Sequence, residues 1–287
     1  GMHTVSGNVS AVSDNGKAGI AMWGTKSERN AWDANDDEYS DLPEVLNKSM
    51  GANGFITIIP GIELSFAGAT FHENRRGGNR LDLEPFANEV NIAEAIESNR
   101  DTAEVRLSHE VSDSLNYTLY YAFAGTKRHS YYGPAGNDDL TEDTTLYGNT
   151  NNAYQATGIT MNYNPRPGHT LTAGFEYTDD NISETNSGVN REVDEHYKNY
   201  GIYTQYDWDM RFVEIIAGVR SDRHSELDDW EFSPRAGIIF KFTPHIRWRN
   251  TVATGFKAPQ IFDEDFDIAV SLSGSGTQNH LIVNADD

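Results

Sequence analysis

The residue types with the sharpest chemical spacing lie in the run Asp33-Ala34-Asn35-Asp36-Asp37-Glu38-Tyr39-Ser40-Asp41-Leu42-Pro43-Glu44. Counted from Asp33, side-chain oxygens recur at Asn35, Asp37, Asp41 and Glu44 with the spacing of a calcium loop, and Tyr39 stands where such a loop offers a backbone carbonyl. A hard cation gathers six to eight oxygens and offsets the repulsion among crowded carboxylates. The spacing therefore points to Ca2+ held by Asp33, Asn35, Asp37, Tyr39, Asp41 and Glu44. Glu38 occupies the position that usually carries Gly, which weakens the expected tight turn, and strand patterns rather than helices flank the run. An acidic, solvated hairpin loop accounts for the same residues, so both readings stand.

A second cluster, His72-Glu73-Asn74-Arg75-Arg76-Gly77-Gly78-Asn79-Arg80, concentrates cations at the start of a long polar segment. Guanidinium groups grip carboxylate or phosphate bidentately, which makes Arg75, Arg76 and Arg80 candidate substrate-binding residues; pairing with neighbouring acidic loops is the competing role. Catalytic signatures are missing. There is no nucleophile elbow, phosphate loop, dinucleotide fingerprint or HExxH pair, and Thr254-Gly255-Phe256, Gly274-Ser275-Gly276 and Asp263-Glu264-Asp265 lack the flanks that would make them one. The expectation is a protein that is not an enzyme, with no catalytic residue and no organic cofactor.

The elements that would position these residues are strands. Period-two alternation marks twelve, at about 3–12, 17–26, 46–59, 62–74, 102–111, 115–127, 153–163, 170–179, 197–207, 211–223, 231–242 and 246–256. Many reach the roughly 9–11 residues that a tilted strand needs to cross a bilayer. A short helix is expected over 84–97 (EPFANEVNIAEAIE), with Pro85 near its start. Connections alternate between tight turns (Asp14-Asn15-Gly16, Pro60-Gly61, Asp113-Ser114, Pro165 to Gly168, Trp208-Asp209, Thr243-Pro244-His245) and long polar loops. In an antiparallel meander this gathers short turns at one end and long loops, with most of the acidic residues, at the other.

Along the strands one face is apolar and the other polar. Leu115, Tyr117, Leu119, Tyr121 and Phe123 share a side, as do Val213, Ile215, Ala217 and Val219. Glu104, Arg106, Glu110, Glu214, Arg220, Arg235, Lys241, Arg247 and Arg249 fall on the opposite one. Trp23, Tyr131, Tyr132, Tyr163, Tyr177, Trp208 and Trp248 sit near strand ends, where aromatic girdles belong.

Composition narrows the function. The 287 residues hold 22 Lys plus Arg against 44 Asp plus Glu, a formal charge of −22 that repels nucleic acid. Cysteine is absent, so there is no disulfide frame and no thiolate chemistry. No apolar run approaches the roughly 18 residues of a spanning helix, and Gly1-Met2-His3 does not open a leader sequence. A transmembrane barrel fits best. A soluble calcium-dependent β-sandwich binding module and a passive porin or adhesin-like barrel are the alternatives.

Phe232-Ser233-Pro234-Arg235-Ala236-Gly237, Thr243-Pro244-His245 and Trp248-Arg249-Asn250 through Thr254-Gly255-Phe256-Lys257-Ala258-Pro259 resemble the corresponding stretch of TonB-dependent outer-membrane receptors. Phe262 to Asp265 and Val283 to Asp287 look like the segment that follows. The acidic loop and the Arg75 to Asn79 stretch are similar, less specifically, to the branch taking up cobalamin or ferric chelates. The resemblance implies an all-β antiparallel transmembrane barrel of 22 strands, of which residues 1–287 supply about twelve, with the plug domain and the C-terminal strands outside the chain. It implies a place in the outer membrane of a Gram-negative bacterium. It further implies contact with outer-membrane lipid, a ferric siderophore, cobalamin or similar chelate as cargo, Ca2+ in the outer loops, and energy from the TonB complex acting through the plug.

Overall fold

The computed structural model describes residues 1–134, 147–186 and 191–257. Phe262 to Asp265, Gly274 to Gly276 and Val283 to Asp287, singled out above, lie outside the described residues.

Twelve strands form one antiparallel sheet in strict chain order. They are β1 (Met2–Val12), β2 (Ala18–Arg29), β3 (Glu44–Ile59), β4 (Ile62–Gly78), β5 (Ile92–Ser112), β6 (Leu115–Pro134), β7 (Tyr147–Arg166), β8 (His169–Asn186), β9 (Arg191–Asp209), β10 (Val213–His224), β11 (Glu231–Thr243) and β12 (Ile246–Ala253). All twelve expected strands are present. Odd-to-even connections are tight turns of two to five residues, and the even-to-odd connections are longer except between β8 and β9, where residues 180–186 and 191–196, expected in a long loop, pair as strand. Among the described residues β1 pairs only with β2 and β12 only with β11, so the sheet is open.

The register turns the alternation into two continuous surfaces. Ile56, Leu64, Leu107, Leu119, Ile159, Phe175 and Ile202 are successive cross-strand partners from β3 to β9. These large apolar side chains sit on the surface of the sheet: Ile56, Leu119 and Ile202 are 46%, 40% and 53% exposed. Among the described residues no second layer covers them. In water such a surface would be an aggregation site, whereas a bilayer satisfies it, and β2 to β11 each have a ladder of backbone hydrogen bonds on both sides. Tyr163, Trp208 and Trp248 border this face near the short turns, and Tyr177 packs on Tyr200 at 4.9 Å nearer the loops. Tyr200 and Trp208 are separated by eight residues of β9. At about 3.3 Å per residue and a tilt near 40°, that places the two aromatic tiers about 20 Å apart across the membrane, close to the height of the apolar band of outer-membrane barrels.

Two expectations change. The stretch 84–97 is not helical: turns occupy its first part, Ile92 opens β5, and residues 92–97 pair with β4 and β6. The helical spacing of Ile92, Ala95 and Ile96 loses to two flanking ladders of backbone hydrogen bonds. Correspondingly, β5 to β9 run 18 to 21 residues, well past the membrane. Trp23, Tyr131 and Tyr132 are not girdle residues: Tyr131 is buried beneath Leu83, Phe86 and Val90. Trp23 lies on the polar face beside Phe71 (6.1 Å), and Tyr132 is on that same face near the loop end.

Candidate functional site

At the loop end, two loops close over the tops of β3 to β7. Gly78 has φ +97°, and a Cβ there would stand 2.0 Å from the Ile92 carbonyl oxygen, so only glycine fits. Its N–H donates to Ser40 Oγ (2.9 Å) and its carbonyl accepts from Ser40 N–H (3.0 Å), tying loop 30–43 to the end of β4. Asn91 Nδ2 donates to the Tyr39 hydroxyl (2.8 Å), and Asn79 Oδ1 accepts from the amides of Asn91 and Ile92 (2.9 and 3.2 Å). Loop 79–91 then folds back on the sheet. Val90 is fully buried against Ala93 and Tyr131, with Leu83, Phe86, Ala87 and Tyr147 around them.

The three candidate arginines part company here. Neighbouring strand residues face opposite ways. Arg75 points to the polar face, where it pairs with Glu94 (3.2 Å) and Glu73 (3.6 Å) while the Tyr132 hydroxyl donates to the same Glu94 oxygen (3.1 Å). Arg76 lies on the other face, opposite Glu44 and Ala95, and donates to the carbonyls of Gly77, Asn79 and Arg80 beneath the folded loop. Arg80 is on the loop surface with Asp82 (3.3 Å). The structure thus brings Arg75 to the polar face with an acid and a phenol, and gives Arg76 the work of closing a loop.

The acidic run folds into a compact turn. Asp33 Oδ2 accepts from Glu38 N–H (2.8 Å) and Oδ1 from Asn35 N–H (3.2 Å), Asp37 Oδ1 accepts from Tyr39 N–H (3.0 Å), and Asp41 Oδ2 accepts from Ala34 N–H (2.7 Å). Desolvation pushes the Asp33 carboxyl up, but the amides of Glu38, Asn35 and Asp37 outweigh it and hold it below the usual carboxylate range. Glu38 adopts φ +72°, the conformation that glycine supplies at this position of a calcium loop, so its side chain does not prevent the turn. The Tyr39 hydroxyl is engaged by Asn91, and Glu44 opens β3 opposite Arg76. Among the described residues no three acidic or histidine side chains converge closely enough to share a metal ion.

Lower on the polar face lies a network that sequence reasoning did not find. The Tyr120 hydroxyl donates to Glu176 Oε2 (2.5 Å). Arg220 donates through Nη2 to Glu176 Oε1 (3.0 Å) and through Nε to Asp222 Oδ2 (2.8 Å), and Asn199 Nδ2 donates to Asp222 Oδ1 (2.8 Å). Tyr120, Gly158, Glu176, Gly201 and Asp222 are successive cross-strand partners. A Cβ on Gly158 would meet the Tyr120 ring at 2.8 Å, and one on Gly201 would meet Arg220 Nη2 at 2.3 Å. The long side chains therefore lie flat over glycine hollows and reach across a strand to Glu176. The legible signal was glycine at mid-strand, on the face that carries charge. All nine charged residues assigned to the polar face from the sequence lie on it. This surface can bind through paired charges and hydroxyls.

The family model described as TonB dependent receptor-like, beta-barrel, matches residues 31–282. The chain belongs to this family of TonB-dependent receptor barrels. Among solved structures, it is similar to a variant of the ferric enterobactin receptor PfeA of Pseudomonas aeruginosa, with 13% identity, a TM-score of 0.70, and coverage of 90% of this chain and 41% of that one. The siderophore receptor PirA of Acinetobacter baumannii gives 14%, 0.69, 90% and 41%. The alcaligin outer-membrane receptor FauA of Bordetella pertussis gives 12%, 0.62, 85% and 39%. No curated protein matches. The chain thus spans about two fifths of the length of these receptors. The TonB-dependent receptor barrel lies in the outer membrane of Gram-negative bacteria, and the family is one of transport receptors, not enzymes. The apolar face described above is accordingly the lipid face and the polar face the lumen.

Proposed function

We propose that these strands are part of the barrel of an energy-coupled importer of a ferric siderophore, with cobalamin the runner-up cargo and the TonB complex, acting through a plug domain outside this chain, as the energy source. The observation that carries it is the lumen face. At the loop end it presents Arg75 with Tyr132 and Glu94, suited to an anionic, hydroxyl-rich chelate, and below them it is lined with self-paired charges that a cargo could pass without being trapped. The solved receptors similar to it, named for enterobactin and alcaligin, support the siderophore class. Arg76 and Arg80 shape the loop that frames this entrance. The test is uptake of radio-iron from catecholate and hydroxamate chelates, and of labelled cyanocobalamin, in cells expressing the full-length receptor with and without TonB. Energy-dependent uptake of one ferric chelate is expected. Cobalamin uptake alone would change the cargo, and energy-independent leakage of all probes would favour a passive porin.

Calcium is a second reading, favoured by the left-handed conformation of Glu38. On this reading, Ca2+ draws Asp33, Asn35, Asp37, Asp41 and Glu44 together, with Tyr39 giving its carbonyl. Calorimetry should show saturable heat that Asp33→Asn abolishes; absence of heat removes the proposal.

A further inference from the structure

On the lipid face, one cross-strand row runs Lys26, Lys48, His72, Asn99, Lys127 from β2 to β6. Each member stands eight residues towards the loops from an apolar residue of the membrane row: Ala18, Ile56, Leu64, Leu107 and Leu119 in turn. Eight residues preserve the face, and at about 3.3 Å per residue and a tilt near 40° they lift each member roughly 20 Å above its apolar residue; the tilt also makes the row slope by about 3 Å per strand, so that it crosses the headgroup region of the outer leaflet obliquely. Met50, two residues below Lys48 on the same face, is the last large apolar side chain of β3 before it.

This row is unusual for a chain with a formal charge of −22. Three of its lysines fall here with no acid among the row's five members, and Lys26 stands directly opposite Lys48. Like charges in that position destabilise a sheet unless an anion lies between them. Lys26 pairs with Glu28, whose carboxylate also attracts Lys48 more weakly, so one acid serves two opposed lysines, and His72 Nδ1 is joined to Asn99 Oδ1 (2.8 Å). Lys48 and Lys127 are exposed and, among the described residues, have no ion-pair partner. The other nearest acids on this face, Glu97 and Asp101, occupy the rows above and below.

We infer that Lys26, Lys48 and Lys127, with His72, form a docking belt for the phosphate groups of an outer-leaflet lipid. The row is on the wrong face for cargo and at the right height for a phosphorylated headgroup. The geometry suits several phosphates spread along a surface, since the row spans five strands about 4.8 Å apart. A lysine ammonium serves such a site well as a compact point charge on a flexible stem.

The test is native mass spectrometry of the full-length receptor in neutral detergent, titrated with bisphosphorylated lipid A, its dephosphorylated analogue, or inorganic phosphate. The receptor should retain lipid A selectively. Lys26→Gln/Lys48→Gln/Lys127→Gln should weaken retention by about fivefold per lysine, on the order of a hundredfold in all, and the three Lys→Arg changes should keep it. Should the triple Gln variant not fold, Lys48→Gln and Lys127→Gln singly carry the same test. Undiminished retention in the Gln variants overturns the inference, as does equal retention of the dephosphorylated analogue. Displacement of lipid A by millimolar inorganic phosphate would reassign the belt to free anions.

Discussion

Replacing Leu119 by arginine tests the orientation of the whole sheet. Leu119 sits in β6 between Leu107 and Ile159, its side chain on the apolar face. It lies five residues beyond Ser114, which closes the turn. A rise of about 3.3 Å per residue and a tilt near 40° put it roughly 13 Å above the turn, the middle of an apolar band about 25 Å tall. Arginine at that depth on the lipid face costs about 2–4 kcal/mol. Thr118→Arg, one residue away, projects instead beside Ser108 and Thr160 into the lumen, and should cost less than about 1 kcal/mol. Leu115→Arg, on the lipid face but next to the turn, should cost about 0–1 kcal/mol. Guanidinium unfolding of the full-length receptor from phosphatidylcholine vesicles reads all three. The ordering Leu119→Arg far above Leu115→Arg and Thr118→Arg is what a bilayer imposes. A soluble sheet would tolerate arginine at an exposed Leu119, so equal small costs, or a larger cost at Thr118, would refute the assignment of faces.

Other expectations follow from single contacts. Gly201→Val should displace Arg220 from its place across the strand, leaving the buried carboxylate of Asp222 short of a partner. A loss of about 1–3 kcal/mol in the same unfolding assay is expected, and no loss would show that the network contributes nothing. Gly78→Ala forces a left-handed alanine against the Ile92 carbonyl; it should cost about 1–3 kcal/mol and expose loop 79–91 to proteolysis, which an unchanged cleavage pattern would contradict. Ser40→Ala removes the hydroxyl that accepts from Gly78 N–H and should cost about 0.5–1.5 kcal/mol, read as faster amide exchange in loop 30–43. Asp33 has a folded pKa below its unfolded value, so its contribution is present above the ordinary carboxylate range and lost as pH falls through the lowered folded value. Exchange of the Asn35 and Glu38 amides should therefore accelerate, relative to the intrinsic rate, on acidification, and Asp33→Asn should flatten that response.

What could be read from the sequence divides at the membrane boundary. Within the bilayer each strand meets lipid on one side and a polar lumen on the other, so the alternation of Leu115 to Phe123 or Val213 to Val219 is enforced and visible. Tight turns with Asn-Gly and Pro-Gly chemistry punctuate it. Above the bilayer both faces meet polar surroundings or a covering loop, and alternation no longer has a cause. There β5 reads as Ile92-Ala93-Glu94-Ala95-Ile96-Glu97, a pattern that suits a helix, and only its pairing with Gly78 to Asn74 and with Pro134 to His129 makes it a strand. The hidden reason for its small residues is packing: Ala93 and Ala95 leave room for Val90 and Tyr131.

The same boundary governs the candidate site. Arg75 and Arg76 look like one cationic group when β4 is ended at residue 74, as the sequence suggested. Extending β4 to Gly78 separates them by a sheet's thickness, one toward the lumen and one beneath a loop. The Glu176–Arg220 pair is invisible for a different reason. Its members are 44 residues apart, and nothing local fixes which residues of β8 and β10 share a level. That follows from the register of β8 with β9 and β9 with β10, which brings Glu176, Gly201 and Asp222 into line. Gly201 is the residue that makes the pairing possible, because any side chain there would occupy the path of Arg220. A mid-strand glycine on a charged face is thus evidence of a long side chain crossing over it. In a sheet with no second layer, such crossings are how the lumen surface packs: neighbours within the surface supply the contacts that a facing layer supplies in a soluble fold.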